Sequence, residues 1–133
     1  MKGFVVNIEE ETRANSNFRH VKYTANYMQM VYMSLRPGEE IGLETHGNDQ
    51  FFRFEEGTGK VYVDENQYDV TDGSGVIVPA GAKHNVVNVS DDQELKLYTI
   101  YAGPHHEDGV VAGTKAEAEA MQEEFDGRTT ERS

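Results

Sequence analysis

Glu44 and His46 stand two residues apart, and on an extended chain that spacing turns both side chains to one face. A carboxylate oxygen and an imidazole nitrogen then converge on a common point. Gln50, past a short Gly47-Asn48 turn, brings a neutral carbonyl oxygen to the same region. Phe52 and Phe54 follow Gln50 in phase and make that inward face apolar and poor in water. A second imidazole, His84, follows the turn Pro79-Ala80-Gly81, which reverses the chain and starts a strand from the opposite wall. Two imidazoles with one carboxylate are the ligand set of open-sided Fe(II), and Mn, Co, Ni or Zn also accept it. The chain has no cysteine, so any metal must rest on His, Asp, Glu or amide oxygen. Taken singly these signals are weak, because an E-x-H pair is common on exposed strands and a lone histidine after a turn is usually a surface residue. Their conjunction carries the reading.

The elements that must bring these segments together are legible as short strands. Apolar, β-branched and aromatic residues fill 18–23, 27–35, 41–46, 50–55, 59–64, 67–70, 75–78, 84–88 and 95–101, and Gly, Pro, Asp or Asn separate them. A further strand is expected over 3–8, followed by a polar connection through Glu9, Glu10, Glu11 and Thr12. Strands this closely spaced, without helices between them, predict an all-β antiparallel sandwich, jelly roll or barrel. The C-terminus is the exception. Thr114 and Glu117 have the spacing of a capping box, and Ala- and Glu-rich sequence runs on to Phe125 before Gly127 stops it. A helix over about 115–126 is expected, docked through Met121 and Phe125. The organisation expected is one domain over 1–126, its core barrel at about 21–101, with a flexible tail over 127–133.

Charge narrows the partners. The net charge is −12, and an acidic surface repels phosphate backbones, which argues against nucleic acid. No apolar run approaches the ~20 residues of a membrane helix, and the opening stretch is too short for a signal sequence. A soluble cytoplasmic protein with a small-molecule ligand and no membrane partner is expected.

The two ligand-bearing segments resemble the paired signature of the cupin superfamily, a Gly…His-X-His…Glu…Gly segment followed by a Gly…Pro-X-Gly…His…Asn segment. Gly38, His46 and Gly57 fall at the first spacing, and Gly73, Pro79, Gly81, His84 and Asn88 match the second throughout. The resemblance implies a cupin or jelly-roll antiparallel β-barrel, here with a short C-terminal α-helix. It also implies one divalent metal (Mn, Fe, Ni, Co or Zn) on the four positions that carry over, Glu44, His46, Gln50 and His84. Two of them depart from the family pattern. Glu44 stands where the pattern has His, and Gln50 where it has Glu, so one carboxylate is kept but moved along the chain. Gln50 either ligates through its amide oxygen or bonds a metal-bound water.

Two functions follow from that resemblance. One is a metal-dependent enzyme acting on a small oxygen-rich molecule, of isomerase, decarboxylase or dioxygenase type. The other is a non-catalytic cupin that binds or senses a small ligand or a metal. The chain is also similar to small cupins labelled mannose-6-phosphate isomerase-like, although fold does not fix function. Strand 3–8 is expected to pair with a neighbouring barrel and make a homodimer.

Other residues receive plainer readings. The loop Pro104-His105-His106-Glu107-Asp108-Gly109 is read as solvated, with a flap over the barrel mouth as its functional alternative. Arg53 is expected to point outward, Lys96 and His20 to be solvated, and Asn88 to bond backbone. Of Tyr98 and Tyr101, one belongs in the core. Phe52, Phe54, Met30 and Tyr32 are the expected pocket walls, apolar enough to argue against a highly charged sugar phosphate.

Overall fold

Alternating inward and outward residues build two antiparallel sheets in the computed structural model, which describes residues 1–131. In chain order the elements are α1 (Ile8–Ala14), β1 (Arg19–Thr24), β2 (Gln29–Leu35), β3 (Gln50–Glu56), β4 (Gly59–Val63), β5 (Asn66–Val70), β6 (Gly75–Val78), β7 (His84–Asn88), β8 (Leu95–Tyr101), β9 (Val111–Ala112) and α2 (Lys115–Ala120). The larger sheet has the order β6-β3-β8-β2-β1-β9 and the smaller β5-β4-β7. Val31, Leu35, Phe52, Phe54, Val61, Val86 and Leu97 are almost fully buried in one core. The expected all-β fold with a short C-terminal helix is the observed one. No helix among the described residues is long and apolar enough to cross a membrane.

Four expectations are corrected. Residues 3–7 form no strand, and α1 follows, because Asn7 accepts from Glu10 N at 3.0 Å and Glu9, Glu10 and Glu11 fill its first turn. The second helix ends at Ala120. Beyond it the chain runs extended, and Glu123 reaches back to His106. Met121 lies past the end of that helix and is partly exposed. Thr24 and Thr130 bond each other's chains at 2.8 and 2.9 Å, so the C-terminal stretch leans on β1 as far as Thr130; residues 132–133 of the expected tail lie outside the described residues. In β2, Gln29, Val31, Met33 and Leu35 belong to the inward phase, whereas Tyr32 lies under α1 with its hydroxyl donating to Glu11. Met33 thus replaces Met30 and Tyr32 as pocket wall, since the apolar run 30–33 gives no alternation from which to read the phase.

Candidate metal centre

The segment carrying Glu44 and His46 lies along the edge of β7 that β4 leaves open. It is not the continuous strand expected over 41–46. Gly42 has φ +110°, which interrupts the ladder, and only two isolated bridges remain, Glu40 with Val87 and Glu44 with His84. Glu44 N donates to His84 O and His84 N to Glu44 O, both at 2.9 Å, so the two residues face each other across the pair. On either side, Gly42 N is held by Asn85 Oδ1 at 2.9 Å, and Gly81 N by the carbonyl of His46 at 2.9 Å. The Pro79-Ala80-Gly81 turn therefore positions His46 as well as His84. Gln50 opens β3 on the opposite sheet, next to β6 and β8.

One potential ligand atom each from Glu44, His46 and His84 lies within 4.8 Å of the others. The His46 and His84 ring centroids are 5.2 Å apart. Glu44 Oε2 and His46 Nε2 are 2.6 Å apart, an ion-pair distance reached without good hydrogen-bond geometry. Two donor atoms crowd a shared point there. His84 Nδ1 lies 3.2 Å from Ala82 O, and because a carbonyl can only accept, Nδ1 carries a proton and Nε2 is the ring nitrogen left for a ligand role. Gln50 is fixed by similar logic. Thr99 Oγ1 donates to Phe51 O at 2.9 Å, so it accepts from Gln50 Nε2 at 2.9 Å, and Gln50 Oε1 is left buried without a partner.

Burial works to raise the Glu44 carboxyl, but the His46 ring beside it, with Arg19 and His84 farther off, outweighs that and holds it below its ordinary value. Glu44, Gln50, Phe52, His84, Tyr101 and Arg19 line a cavity of about 10 Å³, room for about one water-sized particle. The donor set and the unpartnered acceptors fit a divalent cation of the kind that takes nitrogen and oxygen ligands.

The 104–109 loop is solvated only in part: Glu107 and Gly109 are exposed, whereas His106 is buried and His105 half-buried. Gln29 is fully buried, and its Oε1 accepts from the backbone N–H groups of His105 and His106 at 3.0 and 2.9 Å. Its Nε2 donates to His106 O at 2.8 Å and to Thr24 Oγ1 at 2.9 Å. His106 is buried against Glu123 at 2.7 Å and Tyr101 Oη at 3.3 Å. His105 stacks on Tyr101 and covers His46 with ring centroids 4.3 Å apart. Burial, then His106 and His46, push the His105 imidazole down to about 4. Adjacent histidines do diverge, as expected, but both are used to cap the barrel. Lys96 is also buried rather than solvated, bonded to Asn15 O and paired with Glu94 at 2.8 Å. Arg53 pairs outward with Glu55, His20 is half-buried against Tyr32, and Asn88 bonds three backbone carbonyls. Tyr101 is the buried tyrosine of β8 and also the one that reaches the cavity.

The Cupin domain model matches residues 31–101, which contain all four expected ligands. The chain belongs to the cupin family. It is 46% identical over 129 residues to the uncharacterized protein YrkC of Bacillus subtilis, covering 92% of this chain and 69% of that one. It is 40% identical over 112 residues to the uncharacterized protein L612 of Acanthamoeba polyphaga mimivirus, covering 81% of this chain and 70% of that one. The crystal structure of BH2720 from Bacillus halodurans is 45% identical with a TM-score of 0.87, covering 90% and 96% of the two chains. Sequence reasoning on this cupin missed Arg19, Gln29 and Glu123 around the centre. Arg19 had one available signal, its shared phase with the core residue Val21.

Proposed function

We propose that Glu44, His46 and His84, completed by Gln50, hold one divalent metal and make this cupin a metal-dependent enzyme for a small oxygen-rich molecule. Isomerisation, decarboxylation and dioxygenation are the reaction types in view. The observation that carries the reading is convergence with unmet need: three ligand groups meet in the barrel, and Gln50 Oε1, on the same cavity, is buried without a hydrogen bond among the described residues. A buried polar atom in that condition is rare and costly, and a cation satisfies it. A bound divalent ion supplies Lewis-acid polarisation of a substrate oxygen. The protein contributes an ionised Glu44, a His84 ring oriented by Ala82 O, a Phe52 wall that keeps water out and a His105 cap. The metal is one of Mn, Fe, Ni, Co or Zn.

The small cavity favours a second reading, a non-catalytic cupin that binds or senses a metal or small ligand. The mannose-6-phosphate isomerase label draws no support from the two uncharacterized relatives and is one chemistry among three. A cytoplasmic homodimer belongs to the same proposal. With no N-terminal strand to pair, its contact is assigned to the exposed apolar surface around Tyr27, Met28 and Ile77, and a monomeric mass by light scattering at micromolar concentration counts against it.

Elemental analysis after purification without chelating resin tests the metal. Near-stoichiometric metal in the wild type, lost in folded His46→Ala and His84→Ala variants, supports the reading. Trace metal in the wild type refutes it. Turnover of the loaded protein on diketones and catechols, followed by O2 consumption, and on ketose–aldose pairs then separates enzyme from binder.

A further inference from the structure

Among the described residues, Arg19 is the one Lys or Arg side chain in the wall of the cavity that Glu44, Gln50 and His84 share. It opens β1 opposite Met33 of β2, in phase with the core residue Val21. Its side chain is only 15% exposed, and Nε is buried without a hydrogen bond among the described residues. The carboxylate paired with it, Glu123, lies 3.7 Å away. Glu123 is already engaged by His106 Nδ1 at 2.7 Å and Glu107 N at 2.8 Å. The buried cation Lys96, by contrast, is paired with Glu94 at 2.8 Å and bonded to Asn15 O. A guanidinium kept only as a structural strut would be expected to be satisfied in the same way. Arg19 is withdrawn from water with hydrogen-bonding capacity unspent beside the ligand cluster.

We propose that Arg19 recognises the anionic end of the molecule this site takes, and that this end is a carboxylate. The inference rests on the metal reading for the molecule's second point of attachment. A guanidinium presents a planar fork that matches the two oxygens of a carboxylate. Among the described residues the cavity wall holds no second Lys or Arg beside Arg19, so one fork suits a singly charged carboxylate better than a phosphate dianion. Arg19 overturns the expectation of a wholly apolar wall, and the substrate class narrows to a small oxygen-rich acid.

The test is calorimetric titration of metal-loaded wild type, Arg19→Gln and Arg19→Lys with acetate, pyruvate, acetamide and inorganic phosphate, with metal content measured on the same samples. Carboxylate affinity should fall at least tenfold in Arg19→Gln and by less in Arg19→Lys, which keeps the charge and loses the fork. Acetamide and phosphate should bind more weakly than pyruvate to the wild type. Equal carboxylate affinity in wild type and Arg19→Gln overturns the proposal, as does phosphate binding tighter than carboxylate, or no carboxylate binding to the wild type. Where Arg19→Gln does not fold, a loss in Arg19→Lys supports the assignment and undiminished affinity overturns it. Wild type that takes up no metal refutes the metal reading alone. The Arg19 comparison is then made on the metal-free protein, where the same fall is expected because the guanidinium charge does not depend on the ion.

Discussion

Replacing Gln29 with Leu should release the loop that caps the barrel. Gln29 makes four hydrogen bonds, two from the His105 and His106 N–H groups and two to His106 O and Thr24 Oγ1. Leucine fills much of the volume but makes none of them. Were the loop to stay in place, three backbone groups would lose their partners in buried surroundings, at roughly 1–3 kcal/mol each and so about 3–9 kcal/mol together. Lifting the loop into water avoids most of that cost. What resists lifting is the His106–Glu123 pair, the Tyr101 contact and the bond from Phe125 N to His105 O at 3.1 Å. The net loss is therefore expected at about 2–4 kcal/mol, a fall in Tm on the order of 10 °C for a domain of this size. Amide hydrogen exchange locates the effect. His105 and His106 should exchange about 100-fold faster in Gln29→Leu, as an opening of about 2.7 kcal/mol requires. Amides of β4 should change only as far as global stability does. A loss below about 0.5 kcal/mol with unchanged exchange at His105 and His106 would refute the claim that Gln29 holds the cap.

Gly57→Ala should cost about 3 kcal/mol or more by urea unfolding, because φ there is +106° and a Cβ would sit 2.6 Å from Glu94 O. Asn88→Ala removes donors to Leu35 O, Arg36 O and Gln93 O, and a loss of about 2–4 kcal/mol with undiminished metal content is expected. His105 stays neutral in the folded chain down to about 4 but takes a proton near its ordinary value when unfolded, so its contribution is full above about 6.5 and is lost as pH falls towards 4. In the chelator-treated protein, the urea midpoint of His105→Phe should drop less between pH 7 and pH 5 than that of the wild type. Parallel drops would contradict the assignment.

The strands were legible where side chains alternate and turns punctuate, and 75–78, 84–88 and 95–101 coincide with β6, β7 and β8. That Glu44, His46 and His84 could converge was legible for a related reason, since a two-residue spacing and a Pro-X-Gly turn are local signals whose geometry hardly depends on the rest of the fold. What could not be read was set by distant partners. Gln29 looks like one polar residue in a buried strand, and only the folded chain reveals the carbonyl and amides of residues 76 and 77 positions away. The helix beyond Ala120 had helical composition, but the bonds available to Glu123 on the extended chain prevailed. The N-terminal helix had its own signal, Asn7 three residues before Glu10, and the apolar run at 3–8 obscured it.

The two departures from the family pattern make local sense together. At position 50 the neighbour is the Thr99 hydroxyl, whose proton is committed to Phe51 O and which therefore offers a lone pair. A carboxylate there would meet that lone pair with one of its own, unless the hydroxyl turned and left Phe51 O short of a bond. An amide presents N–H to Thr99 and its carbonyl oxygen to the cavity. At position 44 the surroundings are the reverse: His46 lies 2.6 Å away, and His84 and Arg19 add positive potential that keeps the carboxyl ionised despite burial. A histidine at 44 would set a third imidazole among these groups and leave the cavity without a carboxylate once position 50 is Gln. Each substitution thus depends on the other, and the barrel retains one negative charge, moved from the wall of β3 to the edge of β7.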